Sequence, residues 1–173
     1  MLEDADRQGL RGEAREDLAV VRAHAQRVGR IVQSLLAFAS HRRGERTAVD
    51  LNRVVEDTLV LVARQLEADG VDLRTELRPG LPPVHGDPVL LGQVLLNLLN
   101  NAREAVGSRG TIIVTTDIDT REPGGVRLAV RDTGPGISEE LAPRVFEPFF
   151  TTRPAATGLG LAVCYGIVRS RTA

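Results

Sequence analysis

One helix, predicted over residues 88–106, constrains the fold more than any other feature of the sequence. Asp87-Pro88 is a strong helix start, because the carboxylate can cap the first N–H groups and the proline ring already holds φ near its helical value. Gly107 is a natural end for the helix. Its leucines and alanines must be buried in a core, to which we assign Leu95, Leu98, Leu99 and Ala102.

A polar row interrupts this apolar helix. Asn97, Asn101 and Glu104 recur at spacings of four and three residues and therefore share one helix face. Such a row either caps neighbouring backbone or lines a site. The carbonyl oxygen of asparagine is a neutral ligand that suits Mg²⁺ already bridging phosphates. Taken alone, a row of this kind is more often structural than catalytic.

Strands and helices alternate on both sides of this helix. The predicted elements are a strand at 47–51, a helix from Asp50 or Asn52 to about residue 69, strands at 71–77, 111–119 and 126–132, and an apolar helix at 158–170. The strands are recognised by alternating apolar and polar residues, and the helices by apolar residues spaced three and four apart. This order predicts an α+β fold, a two-layer sandwich with helices stacked on one face of a sheet.

Two glycine-rich motifs lie on either side of a long loop. Asp132 to Gly136 (DTGPG) directly follows a strand, so its glycines allow a sharp turn and its aspartate can accept a hydrogen bond from a planar amine. A plain turn with a capping aspartate would have the same sequence. Gly158-Leu159-Gly160 opens the last helix, where free N–H groups and the helix dipole favour phosphate. The segment 146–156 between them is long enough to be a lid or binding loop.

Composition excludes several classes of protein. The single cysteine rules out an intrachain disulfide framework and a cysteine-based zinc site. The sequence has no lysine, which excludes the lysine-dependent phosphate loop. A net charge of −1 and an aromatic content of 3% argue against nucleic-acid binding. No apolar run approaches the length of a membrane span. We therefore expect a cytoplasmic protein in which this segment contacts neither nucleic acid nor the membrane.

The N-terminal region has a different pattern. Apolar residues follow a heptad seam, and they are Leu18, Val21, Ala25, Val28, Val32 and Leu35. We predict a coiled-coil-like helix over residues 17–40, whose wide apolar stripe needs a partner helix in the same chain or in another. A charged linker follows it. The chain is therefore divided into a helical segment, residues 1–43, and an α+β domain, residues 44–173.

The order of the motifs is more specific than any one of them. Four segments resemble, in chain order, the N box, first glycine box, F box and second glycine box of sensor histidine kinases. They are Asn97 to Ala105, Asp132 to Gly136, Phe146 to Phe150 and Gly158 to Gly160. Residues 49–170 resemble the catalytic ATP-binding domain of these two-component kinases, with FEPFFTT and GLGLAVCYGIV most similar to the nitrogen-regulation type. The resemblance implies the Bergerat ATPase fold and transfer of the γ-phosphoryl group of Mg-ATP to a histidine, for relay to a response-regulator aspartate.

The resemblance also implies an adenine site and a magnesium site. Asp132 would bind the adenine amino group, and Gly134 and Gly136 would shape the floor beneath the base. Asn101, together with Asn97, would hold Mg²⁺ on the triphosphate.

A third group of residues would hold the phosphates. Gly158, Leu159 and Gly160 would present backbone N–H groups to them. Arg153 lies where many relatives carry a lysine, and its guanidinium can also grip phosphate. Glu104 completes the N-box face of the implied ATP site.

The predicted N-terminal helix is similar to the second helix of the family's dimerisation and phosphotransfer hairpin. This implies a homodimer and, as a second partner, the receiver domain of a response regulator. The acceptor histidine belongs on the first helix of that hairpin, and none of His24, His41 and His85 matches its pattern. We therefore expect no acceptor histidine and no catalytic residue in this chain. We also expect the last strands of the family's domain to be missing after Arg171.

Two alternatives stay open at this point. Topoisomerase, chaperone and mismatch-repair ATPases and anti-sigma-factor kinases share the nucleotide fold, but they generally place a general-base glutamate one turn before the magnesium asparagine. Asn97 occupies that position here and cannot take a proton, which favours a histidine kinase. The second alternative is a nucleotide-binding or dimerisation module without catalysis.

Overall fold

The computed structural model describes residues 14, 17, 18, 20–22, 47–121, 124–153 and 156–169. The described residues before Thr47, which are 14, 17, 18 and 20–22, are all helical. A helix was predicted over 17–40, and residue 14 lies before its predicted start. The rest of that helix, and with it the predicted dimer contact, lies outside the described residues. The elements between residues 47 and 169 are β1 (Thr47–Val49), α1 (Leu51–Ala68), β2 (Asp72–Leu77), β3 (Val84–Gly86), α2 (Pro88–Val106), β4 (Thr111–Asp119), β5 (Gly125–Asp132), a 3₁₀ turn (Ala142–Arg144) and α3 (Gly160–Arg169).

Aspartate caps fix the starts of α1 and α2. The Asp50 carboxylate accepts hydrogen bonds from the N–H groups of Asn52 and Arg53 at 2.9 and 3.3 Å. Asp87 accepts two N–H groups from the first turn of α2, at 2.8 and 3.4 Å. Gly107 ends α2 with φ at 61°, a conformation that glycine adopts without a steric penalty. The bounds of α2 are those predicted from the sequence.

Helix α1 was predicted to begin at Asp50 or Asn52, and Asn52 does not cap it. Its amide nitrogen donates to the carbonyl oxygen of Arg78 at 2.8 Å. Its amide oxygen accepts a hydrogen bond of 2.7 Å from the hydroxyl of Thr116, a residue that is only 3% exposed. Asn52 therefore ties α1 to the sheet, because its side chain reaches the end of β2 and the middle of β4.

The strands form two separate sheets. β2, β4 and β5 make a mixed sheet in that order, with β2 parallel and β5 antiparallel to β4. β1 and β3 form a short antiparallel pair. In the register of the larger sheet, Asp132 at the end of β5 lies opposite Ile112, which is fully buried. Directly opposed residues share a face, so Asp132 lies on the face of the sheet that the helices cover.

Helix α2 lies at the centre of the core. One side of it packs between α1 and the sheet, and this cluster is Val55, Leu66, Val71, Leu95, Leu99, Ala102, Ile112 and Val114. Another side packs against α3 through Val94, Val163, Cys164 and Ile167. The predicted two-layer α+β fold is confirmed. Within the described residues, no helix has the length and apolar character needed to cross a membrane.

Three element predictions were wrong in detail. The strand predicted at 47–51 ends at Val49, because Asp50 already caps α1 and Leu51 is the first residue of that helix. Strand β3 was not predicted, because the prolines around it break the local pattern and its three residues are held by pairing with β1. Helix α3 begins at Gly160 rather than Gly158. The reason is that Gly158 has φ at +66°, which no residue of a right-handed helix adopts.

Candidate functional site

The polar row of α2 faces the start of α3. The Asn97 amide donates a hydrogen bond to the carbonyl oxygen of Gly160 at 3.3 Å. A Cβ atom on Gly160 would lie 3.9 Å from the Asn97 amide carbon and 4.0 Å from the Asn101 amide nitrogen. The structure therefore brings together three residues that the sequence assigned to the metal and phosphate part of one site.

The turn before α3 is closed against the F box. The Phe149 N–H donates to the carbonyl oxygen of Gly158 at 2.9 Å. A Cβ on Gly158 would lie 2.4 Å from the Phe149 carbonyl carbon and 2.7 Å from the carbonyl oxygens of Phe149 and Phe150, so only glycine fits. Phe149 itself has φ at 67°, which is unusual for a bulky side chain. Residues 149 and 158 thus form the closed base of the intervening loop.

The residues that open α3 are held by local contacts. Leu159 is buried, and its N–H donates a hydrogen bond to the Thr157 hydroxyl at 3.4 Å. The Val163 N–H bonds to the Leu159 carbonyl at 2.9 Å and so begins the hydrogen-bond pattern of the helix. The N–H groups of the first turn of α3 are those that an α-helix leaves without a partner in its own backbone, and they favour an anion.

The turn after β5 lies against the C-terminal end of α2. One Asp132 carboxylate oxygen accepts the Gly134 N–H at 2.8 Å, and the aspartate is half-buried. A Cβ on Gly134 would lie 2.9 Å from both the side chain and the carbonyl oxygen of Ala105, so the turn packs closely on α2. Gly136 has φ at +74° and nothing within 4 Å of an added Cβ. Glycine is favoured at position 136 because of this positive φ, since a side chain there would clash with nothing.

An ion pair joins the loop to the polar row. The Arg153 guanidinium lies 2.7 Å from the Glu104 carboxylate, with side-chain exposures of 41% and 47%. Three predicted groups therefore meet one helix: Gly160 at Asn97 and Asn101, Arg153 at Glu104, and the Asp132 turn at Ala105. From Asn97 to Ala105, at 1.5 Å per residue, this face is about 12 Å long. It offers amide groups, a cation and helix N–H groups in one row.

The Asn97 and Asn101 amides are the neutral oxygen donors for a cation at this face, whereas the Glu104 carboxylate is paired with Arg153. Among the described residues there is no group of three or more histidine, cysteine, aspartate or glutamate side chains that could hold a metal. The Asn97 and Asn101 amide oxygens would thus need phosphate oxygens as further ligands. This donor set fits Mg²⁺, which takes few protein ligands when a nucleotide supplies the others.

One titrating group lies under the polar row. Burial raises the pKa of the Cys164 thiol, and a hydrogen bond from the Asn97 side chain offsets part of the rise. The thiol also lies 3.7 Å from the Val94 carbonyl oxygen. Cys164 is therefore an uncharged core residue near neutral pH. The pKa of Asp117 in β4 is also changed: a hydrogen bond from the Arg78 side chain lowers it.

Sequence reasoning missed two residues that shape the site. Thr133 is bonded to Thr111 twice: its N–H donates to the Thr111 carbonyl at 3.1 Å, and its hydroxyl accepts the Thr111 N–H at 3.0 Å. These bonds anchor the Asp132 turn to β4, and a threonine directly after the aspartate was the available signal. Phe149 was missed as a base of the loop, because nothing in the sequence indicates a positive φ at that phenylalanine.

The sequence profile of the histidine kinase-, DNA gyrase B- and HSP90-like ATPases matches residues 86–172, which is half of the chain. The catalytic domain of histidine kinase ThkA in nucleotide-free form superposes with a TM-score of 0.66 at 36% identity, over 73% of this chain and 82% of that domain. The chain belongs to the sensor histidine kinase family of these ATPases. The predicted family and fold are confirmed.

Other members of the family match more of the chain. The sensor histidine kinase ZraS of Escherichia coli K12 is 38% identical over 164 residues, 95% of this chain and 35% of ZraS. The chain therefore spans about a third of the length of this curated relative. ThkA in complex with response regulator TrrA has a TM-score of 0.71 at 32% identity, over 87% of this chain and 42% of that one. Full-length ShkA with AMPPNP has a TM-score of 0.76 at 26% identity, over 94% and 35%.

Proposed function

We propose that this histidine kinase chain binds Mg-ATP along the polar face of α2 and transfers the γ-phosphoryl group to a histidine outside the chain, for relay to a response-regulator aspartate. The observation that carries the proposal is the meeting of three separate segments, at Gly134, Arg153 and Gly160, on nine consecutive positions of α2. The AMPPNP bound to the related ShkA supports the nucleotide.

The adenine end of the site is assigned to the turn after β5. One oxygen of Asp132 is occupied by the Gly134 N–H, which fixes the orientation of the carboxylate. Its other oxygen would accept a hydrogen bond from the adenine amino group. Gly134 and Gly136 bring backbone, and not side chains, beneath the base. Discrimination against guanine follows, because guanine presents a carbonyl oxygen where adenine presents its amino group.

The phosphate end is assigned to the other end of the α2 face. Asn101 and Asn97 would offer amide oxygens to Mg²⁺, and the backbone N–H groups of Gly158, Leu159 and Gly160 would contact phosphate oxygens. The Leu159 N–H would exchange its 3.4 Å bond to the Thr157 hydroxyl for this contact. Mg²⁺, when bound, neutralises charge on the triphosphate. Asn97 also keeps α3 in place through its bond to the Gly160 carbonyl, so its loss would displace the helix N-terminus as well.

The transfer step needs positioning and charge stabilisation from this chain, and no general base. A neutral imidazole nitrogen forms the P–N bond with its lone pair while the bond from the γ-phosphorus to the β,γ-bridging oxygen breaks, and ADP leaves with the electron pair of the broken bond. The proton on the other imidazole nitrogen stays on the acceptor in this step. The acceptor is already a nucleophile, which agrees with an asparagine at position 97. The Arg153 guanidinium and the N–H groups at the start of α3 would stabilise the charge on the transferring group and on ADP.

The proposal includes partners and a location. Residues 1–43 would be part of a dimerisation and phosphotransfer hairpin, and residues 44–173 would be the catalytic domain. The predicted helix over residues 17–40 would pair with a second copy of the chain and form a homodimer. The complex of the related ThkA with TrrA supports a response-regulator receiver domain as the second partner. A substrate such as ATP would place the chain in the cytoplasm.

Calorimetric titration with ATP, with and without Mg²⁺, tests the nucleotide site. We expect binding that strengthens with Mg²⁺, at least tenfold weaker binding in Asp132→Asn, and unchanged binding in the control Asp57→Asn, an exposed aspartate of α1. Asn101→Ala should weaken Mg-ATP more than ATP alone. Equal losses for the two ligands would remove its metal role, and full affinity in Asp132→Asn would refute the adenine contact.

A phosphotransfer assay tests the reaction itself. The chain is mixed with labelled ATP and a separately supplied acceptor hairpin carrying the histidine. Acid-labile, base-stable label on the hairpin is the expected result. Nucleotide binding without any transfer would leave a binding module and overturn the catalytic part of the proposal.

A further inference from the structure

The Arg153–Glu104 ion pair joins the two sides of the proposed phosphate site. Its heavy atoms are 2.7 Å apart, and both side chains remain more than a third exposed. Glu104 lies three residues after Asn101 on the same helix face, about 4.5 Å along the axis. A triphosphate held at Asn101 would therefore lie next to both the glutamate and the arginine. The first of these repels it, and the second attracts it.

The backbone at Arg153 is held independently of this pair. The Thr151 hydroxyl accepts the Arg153 N–H at 3.0 Å and donates to the Arg153 carbonyl at 3.3 Å. That carbonyl also accepts the Ala156 N–H at 3.1 Å. The base of the loop is closed by the bond from Phe149 to Gly158. The guanidinium can thus change partner by side-chain rotation, without rearrangement of the loop.

The relative strengths of the two possible contacts favour such an exchange. An exposed ion pair contributes little, since water and salt screen it. A guanidinium donating to phosphate makes charge-assisted, often bidentate, hydrogen bonds of about twice the strength of neutral ones. A bound polyphosphate would therefore be the better partner for Arg153.

We propose that Glu104 is a competitor of the nucleotide and not one of its ligands: it holds Arg153 until a nucleotide binds and then releases it to the phosphates. This inference rests on the function proposed above. It differs from the expectation drawn from the sequence, which placed Glu104 among the ATP contacts. The exchange makes Arg153 available only to a ligand with enough phosphate charge to displace the carboxylate. It therefore favours ATP and ADP over adenosine.

The test is a double-mutant cycle of nucleotide affinity in the whole chain. Glu104→Gln frees Arg153, so the Kd for ATP should fall by about 1.4-fold to fivefold, the range that corresponds to an exposed ion pair. Arg153→Gln should raise that Kd tenfold or more. In the Arg153→Gln background the gain from Glu104→Gln should shrink to the part due to simple repulsion. The Kd for adenosine should not change in any variant.

Two controls separate the competition from other effects. Glu56→Gln, on the exposed side of α1, removes the same charge without touching Arg153 and should leave the Kd for ATP unchanged. Arg153→Lys should restore part of the affinity lost in Arg153→Gln. Urea unfolding of each variant checks that it is folded.

Each outcome decides the proposal. Weaker ATP binding in Glu104→Gln, or an equal gain in both backgrounds, would overturn the competition while leaving the ATP site intact. A wild-type chain that binds no ATP would overturn the proposed function, and the competition with it, before any variant is compared.

Discussion

The close contact between Gly158 and the F box makes a quantitative prediction about Gly158→Ala. Alanine at φ +66° lies in the left-handed region, which costs about 1–2 kcal/mol. Its Cβ would also lie 2.4 to 2.7 Å from carbonyl atoms of Phe149 and Phe150. These are backbone atoms, so relief requires movement of the chain, and overpacking of this kind costs about 1–3 kcal/mol. The substitution should therefore lower the free energy of unfolding by about 2–5 kcal/mol.

Substitutions at two other glycines of the domain separate the conformational cost from the steric cost. Gly136 has φ at +74° but open space around an added Cβ, so Gly136→Ala should cost only the conformational part, about 1–2 kcal/mol. Gly166 lies in α3, is exposed and has nothing within 4 Å, so Gly166→Ala should stabilise the protein by about 0.5–1 kcal/mol.

Urea unfolding followed by far-UV circular dichroism measures all three variants against wild type. Midpoints should shift at constant slope, which identifies a change in stability and not in the surface exposed on unfolding. A Gly158→Ala variant no less stable than Gly136→Ala would refute the steric argument. It would mean that the loop base can move away from α3 without a measurable penalty.

Three further outcomes are expected. Leu95→Ala removes a fully buried side chain of α2 and should lower the free energy of unfolding in urea by about 2–5 kcal/mol. The control Val89→Ala, at a position 76% exposed, should change it by less than about 0.5 kcal/mol. Similar losses in the two variants would contradict the assigned core. Asp87→Ala removes the cap of α2 and should cost about 1 kcal/mol, with a neutral result arguing against the two capping bonds. The raised pKa of Cys164 means that its contribution to stability is complete below the ordinary thiol pKa, about 8.5, and is lost as the pH rises above it. Iodoacetamide should therefore label this single cysteine slowly at pH 8 in the native protein and rapidly in urea, and equal rates would show that the thiol is accessible.

Much of the secondary structure could be predicted because its causes are local. Asp87, Pro88 and Gly107 act on backbone within a few residues of themselves, and the bounds of α2 follow from them. The strands β4 and β5 follow from alternation along one stretch of chain. Strand β3 could not be found in this way, since its bonds go to β1, more than thirty residues earlier.

The same distinction between local and long-range causes applies to the candidate site. The order of the asparagine row, the two glycine motifs and the F box determined the family and the residue types of the site from the sequence alone, because each motif is a short segment with its own chemistry. The tertiary structure alone decided which of them touch: Gly134 against Ala105, Gly158 against Phe149, and Arg153 against Glu104, 49 residues away along the chain. Such contacts depend on how helices and loops pack in space. No local pattern in the sequence encodes that an arginine of the loop is paired with a glutamate of the row.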